Sequence, residues 1–215
     1  MRDKRRVGGM AAALLILALA ALPPAGCLEA SVPSRESDEK SAAELQAELQ
    51  ERIEHAKNNA DSLAFSIHNL INQEREEQGF QPLQWDQALA YIALSHSEDM
   101  ARRDYFDHVS PEGDDFVDRY EDHGYRQNTR IGDSIYVGGE NLALYSVVRS
   151  YTYNEETNEI YEYEYNELED LAGSTVQGWM DSPGHRENIL TPFSREGIGV
   201  YVSDDGDVYI TENFS

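Results

Sequence analysis

The chain has 215 residues, 40% of them hydrophobic, with 41 acidic side chains against 17 basic ones and a formal net charge of −24. That apolar content supplies a packed core and excludes a disordered chain. The charge repels phosphate backbones and anionic bilayers, which excludes nucleic acid as a partner. The length fits one domain of about 150 residues plus a leader and a linker. Only Lys4, Lys40 and Lys57 are lysines among the bases. Many acids with few lysines is a composition suited to strong salt, where screening removes self-repulsion.

Residues 1–26 read as a signal peptide. Met1-Arg-Asp-Lys-Arg-Arg6 is a basic start, and Met10 to Leu22 is an apolar run too short to span a bilayer comfortably. Ala25-Gly26 then precedes Cys27, the single cysteine of the chain. The pattern is similar to a lipoprotein signal, so Cys27 is the expected lipid attachment site and an extracytoplasmic, surface-anchored protein the expected product. An ordinary secretory signal, giving a secreted protein, is the alternative. One thiol makes no disulfide framework.

Residues 27–60 read as a polar tether followed by a thin amphipathic helix, with Leu45, Leu49 and Ile53 at four-residue spacing. That helix is either a stalk or a weakly docked element. The globular domain is expected at 61–215. Asp61 or Ser62 caps a helix whose apolar face holds Leu63, Phe65, Ile67, Leu70 and Ile71, and Gly79 ends it. Asp86 caps a second helix with Leu89, Ile92, Ala93, His96 and Met100 on one stripe. His96 therefore reads as a core histidine rather than a ligand. A short helix runs from Asp114 or Asp115 to His123, closed by Gly124.

Between residues 145 and 170 tyrosines alternate with acids, and Glu155 to Asp170 holds eight acids and no base. Period-two aromatics predict a β-hairpin with tyrosine on one face and acid on the other. The tyrosines either pack on the domain flank or form an aromatic ligand-binding patch. Leu171 to Met180 is helical, and Ile198–Ser203 with Val208–Phe214 around Asp204-Asp-Gly-Asp reads as an antiparallel pair. Helices at both ends of the motif region, with antiparallel strands between and after, predict an α+β fold.

Three stretches carry the chemistry. Ser182-Pro-Gly-His185-Arg-Glu-Asn-Ile-Leu190 joins a Gly-pinned turn to an imidazole, Tyr105-Phe-Asp-His108-Val-Ser-Pro111 offers a second, and Gly138-Gly-Glu140-Asn141-Leu142 offers a carboxylate. If His108, Glu140 and His185 converge, they give a three-ligand metal site with an open fourth position, a carboxylate-oriented general base, or a polar network that only pins loops. Asn141, Asp181 and Ser182 would be cleft neighbours. Ser110 and Ser182 lie near the histidines in sequence but lack the spacing of an activated nucleophile.

The ordered motifs carry a resemblance. Asn72-x-Glu74-Arg75, Pro82-Leu83-x-Trp85, His96-Ser97-x-Asp99-Met100-Ala101 and the His108 stretch are followed by Gly139-Glu140-Asn141-Leu142-Ala143. Then come Trp179-Met180-x-Ser182-Pro-Gly-His185-Arg-x-Asn188-Ile-Leu190 and Gly197-Ile-Gly-Val200. Over about residues 62–214 the chain resembles the CAP superfamily (SCP domain) in its short prokaryotic form. The resemblance implies an α-β-α sandwich, with a three-stranded antiparallel sheet between helix layers. It also implies a cleft lined by two histidines and two glutamates that binds a divalent metal such as zinc in some members. By motif His108, His185 and Glu140 take three of those places. The second glutamate is missing, with Ser182 at its position and Asp181 beside it, and the insertion at 145–170 exceeds the family pattern.

The function expected from this is a surface-anchored binding module whose His/Glu cleft takes a weakly held zinc-like cation or a small ligand. The partner would be a cell-surface lipid, glycan or protein. A metal-assisted peptidase or esterase using the same cleft is one alternative, and an adhesion or scaffold domain with a vestigial site is another. The absent glutamate and nucleophile weigh against the enzyme.

Overall fold

The structure is a computed structural model that describes residues 3–7, 40–126 and 128–215. Cys27 and the expected signal and tether therefore lie outside the described residues, apart from Asp3–Val7, which form strand β1 along the edge of the tyrosine-rich hairpin.

Helix α1 (Ala42–Asn58) opens with Ser41, whose hydroxyl accepts from the Glu44 amide while Glu44 answers the Ser41 amide. This reciprocal cap satisfies two otherwise orphaned donors. The helix is docked: Leu45, Ile53 and Ala56 are buried, and the Arg52 guanidinium lies 5.0 Å from the Tyr165 ring centroid. Only Asn59 separates it from α2 (Ala60–Glu77), so that helix begins before the expected Asp61 or Ser62 cap. Its buried stripe is Leu63, Ala64, Ile67 and Ile71. Phe65 falls off that stripe, exposed and packed on the Trp85 ring.

After β2 (Gln84–Trp85), Asp86 caps α3 (Gln87–Arg103) by accepting from the Ala88 and Leu89 amides. Asp115 caps the short α4 (Phe116–Asp122). The chain then forms β3 (Thr129–Ile131), β4 (Ser134–Tyr136), β5 (Gly139–Ser146), β6 (Val148–Asn154) and β7 (Ile160–Tyr165). Helices α5 (Leu168–Asp181) and α6 (Pro183–Leu190) and strands β8 (Arg195–Val202) and β9 (Asp207–Phe214) complete it.

The central sheet has the order β2-β8-β9-β5, with β8, β9 and β5 antiparallel and β2 a short parallel addition. Because side chains alternate across a strand, Ile198, Val200, Val202, Val208, Ile210 and Phe214 face the main core against α2, α5 and α6. On the other face α3 lies so close to β8 that a Cβ on Gly197 would stand 2.1 Å from the Ala90 nitrogen and one on Gly199 2.0 Å from the Leu94 nitrogen. The result is an α-β-α sandwich.

The hairpin of β6 and β7 has the expected two faces. Tyr151 pairs with Tyr163, while Ser150 and Thr152 pair with Glu164 and Glu162. The hydroxyls donate to those carboxylates, Ser150 Oγ to Glu164 Oε2 at 2.6 Å and Thr152 Oγ1 to Glu162 Oε2 at 3.3 Å. The root of the hairpin is not peripheral: Val147 belongs to the main core, and Tyr165 and Leu168 pack against it.

Candidate functional site

The site forms where the loop after α3, the start of β5 and the start of α6 meet. Glu140 enters β5 as its second residue, not as part of a loop, and pairs in register with Asn213 of β9. Its side chain is 1% exposed, so its charge needs partners. Oε1 accepts from His108 Nδ1 at 2.9 Å, and Oε2 accepts from Arg119 Nη2 at 2.6 Å. With its amide turned to satisfy both neighbours, Asn213 also donates to Oε2 at 3.2 Å and accepts from the Ala93 amide.

Arg119 fixes the loop as well as the carboxylate. Projecting from α4, it donates to the carbonyls of Asp114 and His108, each at 3.1 Å. Behind the loop His96 donates from Nε2 to the Asp107 carbonyl at 3.1 Å, and burial pushes its pKa below the usual value. His96 is thus a buried histidine behind the His108 loop, and with Arg119 it borders a cavity of about 220 Å3.

His185 sits in the first turn of α6, where Pro183 takes an initial position suited to proline. Its half-buried ring has a lowered pKa, mainly through burial and then through the charge of nearby His108. Asn141 ties it to the rest: Nδ2 donates to the His185 carbonyl at 3.3 Å and to Glu212 Oε2 at 3.0 Å, and Oδ1 accepts from Asn188 at 2.9 Å. Asn188 also donates to the Glu140 carbonyl at 3.0 Å.

His108, Glu140, His185 and Asn141 are therefore brought together. Ser182 caps α6 without a side-chain bond, and Asp181 accepts from Gln177 at 3.0 Å. Asp181 lines a separate open groove of about 290 Å3 with Met180, Pro183, Arg186, Glu187 and Leu190.

The geometry redefines the carboxylate. Glu140 engages His108 through Nδ1, the relationship of an outer-sphere carboxylate that sets a ring's tautomer and orientation. A cation would find two imidazoles, with Arg119 already on the one carboxylate, and zinc centres need three or four protein ligands. The trio as arranged does not fit a three-ligand zinc site. Among the described residues no group of three or more His, Cys, Asp or Glu is disposed around a common ion position. The arrangement instead offers an imidazole oriented by a buried carboxylate, with a second imidazole nearby.

Arg119, Asn188 and Asn213 are site residues that motif reading missed. Asn188 stands inside the quoted His185 motif and Asn213 opposite Glu140 in the sheet register, so both carried a signal. Arg119 carried none.

The profile of the cysteine-rich secretory protein family (CAP) matches residues 68–214. The chain is 30% identical over 195 residues to "Uncharacterized protein YkwD" of Bacillus subtilis, covering 86% of this chain and 63% of that one. It is 32% identical over 149 residues to "Uncharacterized membrane protein YlbC" of the same organism, covering 69% and 33%. The chain thus spans less than two thirds of either relative. A crystal structure of an extracellular protein containing a SCP domain from Bacillus anthracis superposes with a TM-score of 0.51 at 28% identity, covering 72% of this chain and 40% of that one. No helix among the described residues is long and apolar enough to cross a membrane. With the matched span covering the central sheet and all of the site residues named above, the chain belongs to the cysteine-rich secretory protein (CAP) family.

Proposed function

We propose that this chain is an extracytoplasmic binding module, held at the cell surface through a lipidated Cys27, whose cleft takes a small lipid, glycan or peptide ligand on His108 and His185. The pairing of His108 Nδ1 with buried Glu140 carries this reading. It leaves Nε2 as the remaining polar atom of a ring whose side chain is 49% exposed, held in one orientation beside a second imidazole. Groups fixed in advance lower the ordering cost of binding. A divalent cation ranks below such a ligand because the carboxylate is already engaged. The location rests on Ala25-Gly26-Cys27, with support from the extracellular and membrane descriptions of two relatives.

The binding test is an NMR titration of the imidazole resonances with phospholipid vesicles, peptidoglycan fragments and short peptides, with zinc as a fourth arm. One organic class should shift both rings, and a His108→Ala/His185→Ala variant should lose the response. Silence from both rings, or equal binding by that variant, overturns the ligand reading. Tight stoichiometric zinc binding lost in His108→Ala would restore the cation as occupant. For the anchor, Cys27→Ser should release the protein into the medium; unmodified wild type already in the medium removes it.

The Glu140–His108 pair also has the form of a base with its orienting group, which favours hydrolysis as the second reading. Product release by the wild type that disappears in His185→Ala would establish it.

A further inference from the structure

On the α2 side of the sheet, beneath Asn141, two glutamates from adjacent strands are completely buried: Glu196 of β8 and Glu212 of β9, each 0% exposed. Two carboxylates in such a place are costly unless each is neutralised or fully bonded. The surrounding donors can be assigned one by one. The Asn72 carbonyl oxygen accepts from the Leu83 amide at 2.6 Å, so its NH2 faces the Leu83 carbonyl at 3.0 Å and His68 Nε2 at 3.4 Å. His68 Nε2 is then an acceptor and Nδ1 carries the hydrogen, which it donates to Glu196 Oε1. Asn141, fixed by Asn188, donates to Glu212 Oε2. That leaves Glu196 Oε2 and Glu212 Oε1, the two carboxyl oxygens here that have no donor.

We propose that these two oxygens share one proton, carried by Glu212 as a neutral acid donating to a Glu196 carboxylate, and that the dyad is a built proton-binding site that positions Asn141 under the cleft. One proton satisfies every polar atom of the pair, whereas none leaves two adjacent buried charges and two leave an acid hydrogen without an acceptor. The groups facing the dyad agree. From α2 come neutral His68 and the buried Arg75 guanidinium, which offsets one negative charge and not two. From β5 comes Asn141 and from α6 Asn188, both uncharged. Burial raises Glu196 to about 7, and burial with the charge of Glu196 raises Glu212 well above its ordinary value. Through Asn141 the site reaches the His185 carbonyl, and through Asn188 the Glu140 carbonyl. Loss of the proton would draw Asn141 toward a charged Glu212 and away from His185. The dyad itself stands whether or not the cleft binds a ligand.

The sign of the pH dependence follows. A carboxyl whose folded pKa is raised contributes stability that is present below about pH 4.5 and lost as pH climbs through the folded value. The experiment is infrared difference spectroscopy of the full chain at neutral pH, with melting temperature recorded from about pH 5 to about pH 9. The wild type should show the carbonyl band of a buried, protonated carboxylic acid, and this band should fade as the melting temperature drops on the alkaline side. Glu212→Gln keeps a donor toward Glu196 and an acceptor for Asn141, so it should fold, lose the band and lose the alkaline drop. In Glu196→Gln the amide donates to Glu212, which should then ionise and also lose the band. No such band in the wild type, or a band and alkaline drop unchanged in Glu212→Gln, overturns the proposal. Should Glu212→Gln fail to fold, the wild-type band and its disappearance with rising pH decide the question.

Discussion

Arg119 Nη2 lies 2.6 Å from Glu140 Oε2, and this contact joins α4, the His108 loop and strand β5 at one buried point. The carboxylate beneath it is 1% exposed and Arg119 itself 12%, so both charges are largely dehydrated. Removing one member of such a pair leaves the other uncompensated, which costs about 3–5 kcal/mol. Arg119→Ala should therefore lower the urea unfolding free energy by about that amount. Adding Glu140→Gln to it should recover part of the loss. A loss below about 1 kcal/mol would place the pair in the regime of exposed ion pairs.

The contact of α3 with β8 depends on two hydrogens. A Cβ on Gly199 would lie 2.0 Å from the Leu94 nitrogen and 2.4 Å from the Ala93 carbonyl carbon, all helix backbone that no rotamer change can move. Overpacking ordinarily costs about 1–3 kcal/mol. Gly199→Ala should reach or exceed the upper end, because α3 would have to shift whole. A unit that shifts carries His96 with it, and with His96 the hydrogen bond to the Asp107 carbonyl of the His108 loop. Unfolding midpoints within error of wild type would mean the two layers are not held this tightly.

Much of this arrangement was legible because local rules and the fold agree. The stripe Leu89, Ile92, Ala93, His96 and Met100 is buried throughout, Asp86 and Asp115 cap where their side chains predict, and the three motif stretches do converge. The departures have physical causes. Phe65 fits a helical apolar pattern yet lies exposed on Trp85, since aromatic stacking can hold a ring at the surface. Helix α2 starts ahead of the Asp61 or Ser62 cap because α1 continues into it through Asn59 alone, leaving no loop for a cap to mark. Arg119 could not be singled out among 14 arginines, because what draws it inward is a carboxylate 21 residues away. Glu212 had a signal: it stands between Ile210 and Phe214 on the inward face of β9, where the alternation calls for an apolar side chain. In a chain of net charge −24 one more acid attracts no notice.

The tyrosine-rich hairpin lies in the insertion that exceeds the family pattern, and the structure divides it. Val147 is 4% exposed within the main core, and Tyr165 lies under Arg52. Beyond them the Ser150 and Thr152 hydroxyls donate to Glu164 and Glu162 within the ladder, and no hairpin residue from 150 to 164 belongs to the main core. Replacing residues 150–164 by a short Gly-Ser link should therefore leave one cooperative urea transition with little change in midpoint. Extending the excision from Val147 through Asp170 removes a core residue and the first turn of α5, and should cost roughly 2–4 kcal/mol more, on the scale of burying one or two aliphatic side chains. A broad or absent transition in the shorter excision would show that the hairpin tip belongs to the folding unit.

On the acid side the buried histidines set the limit. His68, His96 and His185 all have pKa values lowered by burial. His96 is the most enclosed of them, 2% exposed, with Nε2 on the Asp107 carbonyl at 3.1 Å. A histidine with a depressed folded pKa binds fewer protons in the native state than in the unfolded chain. Its stability contribution is complete above about pH 6.5 and is lost as pH falls from there through the folded value. The Glu196–Glu212 pair has the opposite sign, so wild-type stability should peak near neutrality and fall on both sides. His96→Gln keeps a donor toward Asp107 and removes the titration. Its melting temperature will be lower at neutral pH, since a smaller side chain fills the site. Its slope between about pH 6.5 and about pH 5 should nevertheless be shallower than wild type, because the unfolded state no longer gains that proton preferentially. Parallel curves for the two proteins over that interval would show that His96 protonates inside the folded domain without cost, and would move the acid limit to His68 and His185.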